Sequence, residues 1–92
     1  MKFKIKDKEY ELKYTVRTMI MYENMTQDTF RQPESLTDVL TFLYCIVVSS
    51  TKDYSYSFDE FLDYVDEHPE TIDEFTKWLN SLTTVNNIFS KN

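Results

Sequence analysis

The longest apolar run in the chain extends from Phe42 to Val48, within a segment, residues 36–51, that carries few polar side chains. A run this short is compatible with either a buried strand or a buried helix. Ser35 directly precedes the segment, and Asp38 lies three residues after Ser35. This spacing is close to that of a capping box at a helix start. The apolar pattern then persists for about four helical turns, longer than an ordinary strand. The segment therefore predicts a helix in the middle of a small domain.

The length and composition of the chain favour one domain with one modest core. The chain has 92 residues, of which 41% are hydrophobic and 16% aromatic. A chain of that length buries roughly 60–65% of its extended surface, and this composition is too apolar for a disordered protein. No segment reaches the ~20 apolar residues that cross a bilayer. We therefore expect a single domain over residues 1–92 and no association with a membrane.

The N-terminal residues and the cysteine content predict a cytoplasmic protein. Residues 1–11 alternate in charge and lack the apolar stretch of a secretory signal peptide. Cys45 is the one cysteine of the sequence. We therefore expect no disulfide framework, and we expect the protein to reside in a reducing compartment.

Alternation of apolar and polar residues over positions 2–14 predicts an N-terminal β-hairpin. A turn at positions 7–8 places Ile5 opposite Tyr10 and the lysines of one strand opposite glutamates of the other. A two-stranded hairpin is marginal alone, so its apolar face is expected to pack on helices. The residues of that face are Phe3, Ile5, Tyr10, Leu12 and Tyr14.

Amphipathic periodicity predicts three more helices around the central one. Residues 15–27 are apolar on two sides, so this helix is expected between the hairpin and the central helix. Residues 58–67 and 70–89 each carry one apolar stripe. The expected N-caps are Thr15, Ser35 and Ser57. The expected fold is α+β, mostly α, with the N-terminal β-hairpin packed on a small bundle of about four helices.

Charge is unevenly distributed along the chain, whose net charge is −6. Residues 1–17 carry six basic groups, whereas residues 53–74 carry nine acidic groups and no Lys or Arg. Binding to nucleic acid requires a basic stripe, so a nucleic-acid partner is not expected. Either the charged segments are solvated faces, or the molecule docks a basic partner or associates with itself. In self-association, the acids of residues 59–74 would meet the hairpin lysines of a neighbouring copy.

The residue types that catalytic and cofactor sites require are scarce. The chain contains no glycine, which excludes a phosphate-binding loop and the dinucleotide fingerprint. One histidine and one cysteine cannot form a Cys/His zinc site within one chain. Cys45 is expected to be an inert core thiol, and His68 a turn or capping residue. The acids of residues 59–67 lack the loop glycine of an EF-hand. We expect no enzyme, no cofactor and no metal site.

The remaining candidates for function are side chains that could contact a partner. Tyr54 and Tyr56 lie in the connector after the central helix and are not obviously needed for the core. Aromatic side chains often anchor a partner, although these two could simply cover the connector. Methionines adapt to varied helix surfaces. The candidate partner-binding residues are Tyr54, Tyr56, Met21, Met25, Asp59, Asp63, Asp66 and Glu67.

The order of these elements resembles the small tail assembly chaperones of long-tailed phages and prophages. The resemblance covers about residues 3–80. Its segments are the hairpin KIKDKEYELKYTVR, the helix TVRTMIMYENMTQ, the apolar LTDVLTFLYCIVVSS and the acidic SFDEFLDYVDEHPETIDEF. Members of the family commonly carry a glycine in the hairpin turn and often another after the first helix. At those places this chain has Asp7-Lys8 and Thr26-Gln27-Asp28.

This resemblance implies a non-enzymatic role. Such proteins bind the tape measure protein, a long and partly apolar helical chain, in the cytoplasm of the bacterial host. They keep it soluble while the tail tube polymerises around it, and they leave before the virion is finished. Two alternatives stay open. One is a small acidic regulator or inhibitor that binds a basic host protein, and the other is a structural tail or connector subunit.

Overall fold

The computed structural model describes residues 1–29, 33–51 and 56–86. These residues form an antiparallel hairpin followed by four helices, so the predicted α+β, mostly α fold is confirmed. Tyr54 and the predicted last residues of the fourth helix, 87–89, lie outside the described residues. The elements are β1 (Lys2–Ile5), β2 (Lys8–Glu11), α1 (Val16–Thr26), α2 (Leu36–Ser50), α3 (Phe58–Glu67) and α4 (Glu70–Asn86).

The hairpin lies in the predicted place, but the predicted turn and register are wrong. Ile5 lies opposite Lys8, so the two turn residues are Lys6 and Asp7. Lys6 takes the left-handed conformation with φ 55°. When the pairing shifts by two residues, each side chain stays on the face of the sheet that it had before. Alternation alone therefore does not fix the register. The predicted apolar face is retained, and its buried members are Phe3, Ile5, Tyr10 and Leu12.

Helix α2 is the centre of the core, as its sequence predicts. Its start is the predicted capping box, in which the Asp38 N–H donates to Ser35 Oγ at 3.0 Å and the Ser35 N–H donates to Asp38 Oδ2 at 3.4 Å. Because these bonds satisfy backbone groups at the helix start, α2 begins where the apolar pattern begins. The buried residues of α2 are Thr41, Phe42, Leu43, Cys45, Ile46 and Val47.

Two phenylalanines connect the elements of the core. The Phe42 ring lies 5.0 Å from the ring of Tyr22 on α1 and 6.5 Å from that of Phe75 on α4, between centroids. Phe61 of α3 lies 5.8 Å from the ring of Phe3 on β1. Since Phe42 and Phe61 are both almost completely buried, the hairpin and all four described helices share one core.

Helix α1 packs mainly against α2, and the prediction that it is enclosed between the hairpin and α2 is wrong. Its buried residues are Thr18 and Tyr22, and the Thr18 hydroxyl is hydrogen-bonded to the Ser49 hydroxyl at 2.7 Å. Thr18 and Tyr22 thus mark the side of α1 that faces α2. Val16 and Ile20 therefore face outward, and their side chains are 64% and 54% exposed.

Replacing Gln27 by glycine should raise the free energy of unfolding by about 0.5–1 kcal/mol. Gln27 caps the C-terminus of α1 in the left-handed conformation, with φ 57° and ψ 43°, where glycine is the least strained residue. Urea denaturation followed by circular dichroism measures the change. Asn24→Gly, inside the same helix, is the control and should give no gain. Equal effects of the two substitutions would contradict the expected result.

Candidate functional site

A cleft of about 530 Å³ lies between the hairpin and α3, and we call it the hairpin–α3 cleft. Residues 4–6 line its hairpin side. The opposite wall includes Glu60, Asp63 and Glu67, which lie on one side of α3 because their spacing follows the helical repeat. The cleft therefore brings a basic strand and an acidic helix face of the same chain together.

Lys6 connects the two walls of this cleft. Its Nζ lies 4.0 Å from Glu60 Oε2 and 4.9 Å from the centroid of the Tyr56 ring. Both members of the ion pair are exposed, so the pair contributes at most about 1 kcal/mol. The Tyr56 backbone carbonyl accepts a hydrogen bond of 3.0 Å from the Tyr44 hydroxyl. Glu60, one of the acids that we expected to meet lysines of a neighbouring copy, thus already lies beside a lysine of its own chain.

His68 closes the C-terminal end of α3, and its predicted capping role is confirmed. Its backbone N–H donates to the carbonyl oxygens of Tyr64 and Val65, and its ring stacks on the Tyr64 ring at 4.3 Å. Burial raises the pKa of Tyr64, and the nearby carboxylates of Glu70 and Glu74 raise it further. The Tyr64 hydroxyl therefore stays protonated at neutral pH.

A second candidate surface is the outward side of α1, which we call the α1 apolar face and define by Val16 and Ile20. The two side chains are one helical turn apart and more than half exposed. Met21 of the same helix is half-buried against the core. Met25 is 44% exposed, and its Sδ lies 3.4 Å from the Cys45 thiol. Met21 thus contributes to the contact with the core, whereas Met25 remains largely exposed.

The candidate residues from the sequence fall on different parts of the molecule. Asp63 and Glu67 line the hairpin–α3 cleft, whereas Asp59 and Asp66 are exposed on α3 outside its lining. Tyr56 is half-buried beside Lys6. The residues that sequence reasoning missed as site residues are Lys4, Lys6, Val16 and Ile20. The lysines alternate visibly in the sequence, but nothing local indicates that Val16 and Ile20 stay outside the core.

The Cys45 thiol is enclosed, as predicted, and we expect it to react very slowly with thiol reagents. Its side chain is fully buried, and burial raises its pKa from 9.0 to about 12. Since the thiolate is the reactive form, modification at pH 8 should be slow in buffer and fast in urea. Above pH 9 the unfolded chain loses this proton first, so stability should decrease between pH 9 and about 12. Fast modification of the folded protein would contradict this.

The described residues contain no group of three or more His, Cys, Asp or Glu side chains arranged to hold a metal ion. None of the described helices combines the length and the apolar character that crossing a membrane would need. Comparisons of the chain with protein-family models, with curated proteins and with solved structures give no match.

Proposed function

We propose that this protein is a non-enzymatic phage tail assembly chaperone that binds the tape measure protein and keeps it soluble in the host cytoplasm. The observation that carries the proposal is the α1 apolar face. Full burial of a Val or Ile side chain is worth about 1.5–3 kcal/mol, so these two exposed residues offer a contact that the folded domain itself does not use. The proposed client is a partly apolar helical chain, which needs such a contact.

The shape of the α1 apolar face suits a helical client. Residues spaced by four along a helix form a ridge that packs into the groove of a second helix. Val16 and Ile20 form such a ridge, and polar residues surround it, including exposed Arg17 and Asn24. Two apolar side chains give a weak contact. This suits a chaperone that must later leave, and several copies bound along one long client would add their effects.

The sequence resemblance supports the same proposal at one backbone position. Lys6 and Gln27 are the described non-glycine residues with positive φ, at 55° and 57°. Lys6 lies in the hairpin turn and Gln27 directly after α1. Gln27 lies within Thr26-Gln27-Asp28, where members of the chaperone family often carry glycine, the residue that takes positive φ most readily. The glycine of the family's hairpin turn corresponds to Asp7-Lys8, directly after Lys6.

Co-expression with the tape measure protein of the same genome tests this proposal. The client should appear in the soluble fraction when this protein is present and in the pellet when it is absent. Purified virions should contain the client without this protein. A client that stays insoluble would refute the proposal, and stoichiometric presence in the virion would indicate the alternative of a structural tail subunit.

A further inference from the structure

The outer edge of β1 is open to an additional strand. The described sheet has two strands, so β2 covers one edge of β1 and no third strand covers the other. The Leu12 N–H donates to the Met1 carbonyl at 2.9 Å, and hydrogen-bonded pairs alternate along an antiparallel ladder. Hydrogen-bonded pairs recur at every second residue from Met1, so Lys2 and Lys4 lie between them. The backbone N–H and C=O groups of Lys2 and Lys4 therefore point away from β2. Such groups are a template for strand addition.

The hairpin–α3 cleft lies on this side of the hairpin. Residues 4–6 line it and no residue of β2 does, so the cleft opens along the outer side of β1. Its volume of about 530 Å³ falls in the range of about 300–1,000 Å³ that is usual for ligand sites. Because Phe61 of α3 packs on Phe3 of β1, an extended peptide placed against β1 would have α3 near one of its two faces, towards which alternate side chains point.

The acids on α3 match the repeat of an extended chain. Asp63 and Glu67 are four residues apart, a distance of about 6 Å along a helix. Alternate side chains of a strand are separated by about 7 Å. Two basic residues at alternate positions of a bound strand would thus meet these two carboxylates, while Glu60 remains beside Lys6.

We propose that the hairpin–α3 cleft binds an extended peptide segment with basic residues at alternate positions, which joins β1 as a third strand. The occupant is not β1 of a second copy. Antiparallel pairing of two β1 strands through the outward groups of Lys2 and Lys4 sets lysine opposite lysine, and like charges that lie opposite each other destabilise a sheet. A peptide avoids this because its basic residues can alternate with the residues that lie opposite Lys2 and Lys4. The proposal concerns a different surface from the α1 apolar face and does not depend on the proposed function.

The probe is a short fluorescent peptide of alternating threonine and lysine, titrated against the full chain at low salt and followed by anisotropy. Lys4→Pro removes the outward N–H without removing a bond to β2, and proline is tolerated at such an edge. Lys4→Thr removes the same charge but keeps the N–H. Binding to Lys4→Pro should be at least about fivefold weaker than binding to Lys4→Thr.

Two pairs of acid variants on α3 test the charge requirement. Asp63→Asn combined with Glu67→Gln should weaken binding of the probe about fivefold. The matched control, Asp59→Asn combined with Asp66→Asn, removes the same charge from α3 outside the cleft lining and should change binding less than twofold. Circular dichroism confirms that each variant is folded before it is titrated.

Four results of the titrations would overturn the proposal. These are no binding of the probe at low salt, equal binding by Lys4→Pro and Lys4→Thr, equal effects of the two acid pairs, and tighter binding of a peptide with glutamate in place of lysine. A wild-type dimer that Lys4→Pro dissociates would also overturn it, because the edge would then be occupied by a second copy. The expected differences between the matched variants would support it.

Discussion

Leu43→Ala should lower the free energy of unfolding by about 2–5 kcal/mol, because the leucine is completely buried on α2 and its removal leaves a cavity. A domain of this size has a total stability of roughly 5–14 kcal/mol. The substitution is therefore expected to remove a large part of it. Urea denaturation followed by far-UV circular dichroism measures the loss.

Leu36→Ala is the matched control for this substitution. Leu36 is the first residue of the same helix and is 60% exposed, so the same chemical change should cost less than about 0.5 kcal/mol. Comparable losses for the two variants would show that α2 is not the centre of the core.

Phe61→Ala should cost about 3–5 kcal/mol and should loosen the hairpin as well as α3. The Phe61 ring lies 5.8 Å from that of Phe3 on β1 and 5.4 Å from that of Tyr44 on α2. Its removal leaves a cavity where the hairpin meets two helices. Amide hydrogen exchange should therefore accelerate in β1 and β2 in addition to α3.

Leu62→Ala is the control for Phe61, since Leu62 is the next residue along α3 and is only partly buried. It should give a smaller loss of stability and should leave exchange in the hairpin unchanged. Unchanged hairpin exchange in Phe61→Ala would contradict the role of Phe61 in holding the hairpin on the helices.

Helix starts could be predicted from the sequence because their signals are local. Thr15, Ser35 and Ser57 cap α1, α2 and α3 as expected, since a cap depends on residues within one turn. The hairpin register could not be predicted, because registers that differ by two residues bury the same side chains. The positive φ of Lys6 determines the turn, and no glycine marks that position in the sequence.

The candidate surfaces could be predicted only in part. The acids of α3 are recognisable from composition, but their position beside Lys4 and Lys6 depends on how the hairpin packs on α3. Helix α1 is apolar on two sides, and its sequence does not say which side α2 covers. The side that faces α2 carries Thr18, hydrogen-bonded to Ser49, and Tyr22, packed on Phe42. Contacts between residues so distant in sequence leave no local pattern.

The most direct test of whether the α1 apolar face binds the client uses the double variant Val16→Ser and Ile20→Ser. The tape measure protein is co-expressed with this variant, and its solubility is measured. Both residues are exposed, so the variant should stay within about 0.5 kcal/mol of wild-type stability. Leu36→Ser alters another exposed apolar residue and should keep the client soluble. We predict that the client precipitates when it is co-expressed with the double variant, and that it stays soluble with the wild type and with Leu36→Ser. A client that stays as soluble with it as with the wild type would contradict the account.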